Sequence, residues 1–129
     1  MRKFFLLTLL VLITTSCSVF KGQPPKQRIN HVVFCWLKEP GNAVKRAQII
    51  QVSKGFKDIP GVLEVRAGEV VTSSRDIVED SYDVAIYLTF HTEADLDAYI
   101  KHPDHVAAVK SILKPFTKKV LVYDFIEKL

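Results

Sequence analysis

Two cysteines, one methionine and one tryptophan in 129 residues leave little room for thiol or metal chemistry. The spacings Cys-x-x-Cys and His-Glu-x-x-His are both missing, and with them the common zinc sites. A metal is therefore not expected. Long apolar runs are missing too. The longest, Phe4 to Ile13, is too short to span a bilayer comfortably as a helix. A strong excess of one charge is also lacking. Lys and Arg number 18 against 14 Asp and Glu, and two of the basic residues, Arg2 and Lys3, open the chain. Without the first seventeen residues the balance is 16 to 14. Nucleic-acid binding needs a clustered basic face, and the short "KQR" and "KKV" clusters do not supply one.

The opening of the chain is an address. Met1-Arg2-Lys3, the apolar run and then Thr14-Thr15-Ser16-Cys17 follow the order of a secretory signal. The small residues before Cys17 resemble a bacterial lipobox, with Thr14 in place of the usual leucine. That resemblance implies a diacylglyceryl group on Cys17 and a membrane anchor. Ser18, rather than Asp, after the cysteine implies the outer membrane, with the domain in the periplasm. Ordinary cleavage near Ser16 would instead leave Cys17 as a free thiol. Residues 18–28, "SVFKGQPPKQR", read as an extended tether, and the folded domain is expected over residues 29–129. A lipidated Cys17 leaves Cys35 without a disulfide partner. Cys35 lies in an apolar run and reads as a small buried hydrophobe.

The domain alternates two periodicities. "HVVFCWL" (31–37) is apolar at every second position on both faces. His31, Val33, Cys35 and Leu37 point one way; Val32, Phe34 and Trp36 point the other. Pro40-Gly41 turns the chain, Asn42 is a helix cap, and Ile49, Val52 and Phe56 recur at helical spacing to about Lys57. A second extended segment spans Val62 to Val71, with Gly68 as a candidate bulge. A polar loop leads to a third strand, Tyr82 to Phe90. Thr92 with Asp95 forms a capping box for a helix whose apolar stripe is Leu96, Tyr99 and Ile100. Pro103 breaks it. A further helical piece turns Val106, Val109, Ile112 and Leu113 inward, and Lys114-Pro115 is expected to stop it. Val120 to Ile126 closes as a strand.

The order β-α-β-β-α-β predicts an α+β, ferredoxin-like antiparallel sheet with helices on one face. The other face carries Val32, Phe34, Trp36, Ala85 and Tyr87, an apolar patch that a second copy or a loop must cover.

"HVVFCWL", "IPGV", "YDVAIYLTF", "YIKHPDHVAAV" and "VLVYDF", in that order, resemble the stress-responsive dimeric α/β-barrel (Dabb) family from about Asn30 to Phe125. The resemblance implies a homodimer whose two sheets close a barrel. A plant member cyclises a linear polyketide intermediate with a tyrosine and a histidine of the Tyr-x-x-His-Pro-x-His segment. By position these are Tyr99 and His105, and a first-strand histidine matches His31. Val84 stands where that enzyme has another pocket histidine.

Tyr99 lies one turn before His102, and Pro103 places His105 in the first turn of a new helix. There a helix dipole disfavours an imidazolium and keeps the ring a base. A tyrosine–histidine pair can move a proton on a carbonyl or enol without a metal or organic cofactor. The same residues also fit a structural role, with His102 capping, His105 bonded to backbone and Tyr99 filling core. Two classes stay open: a membrane-tethered dimer that holds a small apolar ligand or serves a structural end, and a cofactor-free enzyme. A cavity shared by His31, Tyr99 and His105 would favour the second.

Overall fold

The computed structural model describes residues 26–129. The signal segment, Cys17 and the tether up to Pro25 lie outside the described residues. Four strands form one antiparallel sheet: β1 (Gln27–Leu37), β2 (Val62–Glu69), β3 (Val84–Phe90) and β4 (Thr117–Lys128), in the order β2-β3-β1-β4. Helices α1 (Ala43–Gly55), α2 (Glu93–Lys101) and α3 (Pro103–Ala108) lie on one face. This is the ferredoxin-like order expected.

Local signals set the helix starts. The Asn42 side chain accepts from the Lys45 amide (3.0 Å), and Thr92 and Asp95 close a reciprocal capping box. Gly41 and Gly61 sit at φ 75° and 90°, where a side chain is strained. At Gly61 a Cβ would also come 3.1 Å from the Asp95 Cβ, so the turn before β2 packs directly on the capping box.

Several details differ from the expectation: β2 ends at Glu69 rather than Val71, and β3 starts at Val84 rather than Tyr82. β1 begins at Gln27, so Gln27 and Arg28 of the expected tether pair with Lys128 and Glu127. β4 is longer at both ends for the same reason: each strand gives the other its ladder. The bulge falls between Val62 and Glu64, not at Gly68. Finally, Pro115 does not stop the last helix. α3 runs on through a π-helical turn, Val109–Leu113, and a last α-turn, Lys114–Phe116. A wide turn ahead of a proline relieves the clash of its ring with the carbonyl four residues back.

The core lies between sheet and helices. Val33, Cys35 and Leu37 of β1 and Val84, Ile86, Leu88 and Phe90 of β3 pack against Ile49, Phe56, Leu96 and Tyr99. Cys35 is fully buried, as expected, and burial pushes its thiol up to about 11. The opposite sheet face is covered only at one end. There Trp36 donates its indole N–H to Ser81 Oγ (2.9 Å), and the Lys119 ammonium sits 4.1 Å from the ring centroid. Further along, Tyr123 (56 % exposed) and Phe125 (52 %) stand open beside the half-buried Val32 and Phe34.

Candidate active site

The elbow between α2 and α3 is built by Pro103. It holds His102 extended (φ −62°, ψ 136°), and the His102 ring caps α3 by accepting from the Asp104 amide (3.3 Å). His105 follows in the first turn. Its Nδ1 lies 2.9 Å from the Ile100 carbonyl. A carbonyl only accepts, so Nδ1 carries the proton and Nε2 of the neutral ring keeps its lone pair. Burial holds His105 below the ordinary histidine range, with nearby His31 adding to the effect and the Ile100 hydrogen bond opposing it. Burial thus favours the neutral, basic form of His105.

Tyr99 comes from α2 and is buried in an aromatic cage. Its ring centroid is 4.5 Å from His105, 5.3 Å from Phe90 and 5.6 Å from Phe56. Burial raises its pKa well above that of free tyrosine. The phenol therefore stays protonated and serves as a hydrogen-bond donor, not a base. The third residue, His31, sits in the middle of β1 with its ring 5.9 Å from Tyr99. Its Nδ1 donates to Asp124 Oδ1 across the β1–β4 ladder at 2.6 Å. The carboxylate fixes the ring and its tautomer.

All three residues line one cavity of about 390 Å³ between the sheet and the α2–α3 elbow. Its other walls are mostly apolar: Val33 and Ile86 from the sheet centre, Val120 and Val122 from β4, Phe56, Ile100, Val109 and Leu113 from the helical side. Ile100, expected inside, is 41 % exposed and borders this cavity. Val84 is fully buried and does not line it, so β3 offers no polar group here. Asp124 is the residue that sequence reasoning missed. The available signal was its register: in "VLVYDF" it is the acidic residue in the alternating set Val120, Val122, Asp124, Ile126 that faces the helices. Among the described residues, no group of three or more His, Cys, Asp or Glu is placed to hold a metal.

Residues 29–127 match the sequence profile of the Stress responsive A/B Barrel Domain, Dabb. The chain belongs to this family. A curated relative is a stress-response A/B barrel domain-containing protein of Arabidopsis thaliana, 24 % identical over 112 residues. That match takes in 86 % of this chain but only 41 % of the plant protein, so the chain spans less than half of the relative's length. Among solved structures, a hydroxynitrile lyase from Passiflora edulis superposes with a TM-score of 0.69 at 24 % identity, over 80 % of this chain and 95 % of that one. A dimeric ferredoxin-like protein from Thermobifida fusca gives 0.63 at 22 % identity, over 77 % and 90 %. Both likenesses establish the Dabb chain's ferredoxin-like fold.

Proposed function

We propose that this Dabb protein is a lipid-anchored homodimer whose cavity transfers a proton on a small, largely apolar carbonyl compound, without a cofactor. One observation carries the reading: Tyr99, His105 and His31 share a cavity in which His105 is a neutral base and Tyr99 a protonated donor. His105 Nε2 takes a proton from the carbon next to the carbonyl. Tyr99 donates a hydrogen bond to the oxygen as it gains charge. The His31–Asp124 pair orients the ligand's polar end. The proton held on His105 then returns to the enolate carbon or oxygen, which regenerates the base. A hydroxynitrile lyase among the structural neighbours supports the view that this fold accommodates enzyme chemistry.

The test follows exchange of deuterium from solvent into methyl hexyl ketone. Wild type should catalyse it, and Tyr99→Phe and His105→Ala should slow it about a hundredfold while the ketone still binds. A binding-only role is the second reading, favoured by the tight packing of Tyr99 on His105. It stands if wild type binds the ketone without exchange, and both variants lose only thermal stability.

The anchor is Cys17, with the domain held at the outer membrane on its periplasmic side. Labelled fatty acid should enter the wild type, and Cys17→Ala should release the protein from the membrane fraction. A mutant that still pellets, with no label in the wild type, would refute it. Dimeric relatives and the open apolar sheet face support the homodimer.

A further inference from the structure

A second depression adjoins the cavity. A surface groove of about 260 Å³ runs along the outer side of the α2–α3 elbow. It shares Ile100, His105, Val109 and Lys114 with the cavity, so the two adjoin along these residues. The groove adds Val106 and Lys110. Its only permanently charged lining residues are thus two exposed lysines, and none of its lining is acidic. Neither lysine takes part in an ion pair among the described residues. They stand four residues apart, straddling the end of the π-helical turn Val109–Leu113. Like charges at that spacing repel, and an anion between them removes the repulsion. π-helical turns also concentrate at functional sites. The lysine stems extend the apolar wall outward, and the ammonium groups remain in water.

We infer that Lys110 and Lys114 bind an anionic end of the same molecule whose carbonyl meets Tyr99 and His105. The inference rests on the proton-transfer reading and narrows its substrate class. The ligand is an amphiphile with a carbonyl, an apolar spacer and a distal carboxylate or phosphate. The apolar spacer fills the cavity, and the anion leaves the interior at His105 and lies in the groove. An exposed pair of this kind adds a modest factor to affinity and a larger one to selection against neutral analogues.

Three probes test it by calorimetry on the full-length protein: methyl hexyl ketone, the same ketone with a terminal carboxylate, and the same ketone with a terminal phosphate. One or both anionic probes should bind about three- to tenfold tighter than the neutral one. The preference should shrink with added salt and fall to about one in the double variant Lys110→Gln, Lys114→Gln. Whichever anion wins identifies the end group. Equal binding of all three probes, or a preference that survives the double substitution, overturns the inference and leaves proton transfer standing. Failure of every probe to bind overturns both. The salt dependence is read on the wild type, so the test holds even if the variant folds poorly.

Discussion

β1 and β4 are similar strands with opposite fates. Both are apolar on both faces, and they are hydrogen-bonded to one another from Gln27–Lys128 to Leu37–Thr117. Yet Ile29 and Leu37 on β1 are almost completely buried, whereas Val122 (44 % exposed), Tyr123 (56 %) and Ile126 (50 %) on β4 are not. Neighbours make the difference. β1 has a strand on either side and helices above it. β4 is an edge, and the helices stop short of it. One bare flank of β4 is the cavity wall, through Val120 and Val122. The other, through Tyr123 and Phe125, is the open sheet face. On the function proposed above, the two bare flanks of β4 would serve different ends: a ligand on the helix side, a second subunit on the other.

The contrast can be broken most sharply by truncation. Leu37→Ala should cost about 2–5 kcal/mol in urea denaturation, and Val122→Ala less than about 1 kcal/mol, because only the first leaves a sealed cavity. Equal losses would mean that β4 is as well packed as β1. Next in size is assembly. Tyr123→Glu or Phe125→Glu should weaken the dimer at least about thirtyfold in sedimentation, with the monomer fold intact. Trp36→Glu should lose fold and dimer together, because Trp36 is already packed under Lys119 and Ser81. A monomeric wild type at micromolar concentration would end the comparison on that flank.

A smaller effect comes from pH. His105 is depressed in the folded state, so below its ordinary value the unfolded chain binds more protons than the native one. Stability should be unaffected by this group above about pH 6.5 and should fall as pH drops below it. His105→Gln should remove that part of the slope in pH-dependent thermal melts. If the slope is unchanged, His105 is not desolvated by the cavity. The smallest change is chemical. In a Cys17→Ala background, the buried Cys35 thiol on β1 should resist alkylation at pH 8 until the protein unfolds. A thiol placed on β4 by Val122→Cys should react at once. Rapid labelling of Cys35 would show that the sheet centre opens.

What could be read from sequence was what depends on nearby residues. Asn42, the Thr92–Asp95 box and the Pro103 break are local chemistry, and each acts where expected. Alternation along β1 sorted its two faces correctly, with Val33, Cys35 and Leu37 in the core under the helices. It could not say that the 70–83 loop would cover Trp36 and leave Phe125 bare, because that depends on where a distant loop lands. The bulge was misplaced for the same reason. Gly68 attracts attention by composition, but the slip at Leu63 is set by pairing with Phe90 and Thr89. Within the site, Tyr99, His105 and His31 were identifiable through the family's motif. Asp124 needed the β1–β4 register, and the continuation through Pro115 needed a π-helical turn that no periodicity announces.

The pairing of Lys26 with Leu129 has a practical corollary. The Leu129 amide donates to the Lys26 carbonyl at 3.0 Å, so the two ends of the described chain meet at one corner of the sheet. The polar loop between β2 and β3 adjoins the other end of β1, beside Trp36. The fold should thus tolerate circular permutation: a short peptide joining Leu129 to Lys26, with new termini opened in the exposed stretch from Ser74 to Ile77. Such a rearranged chain would keep the elbow and its cavity uncut. It would also carry any fused reporter at the pole opposite Lys26 and Leu129.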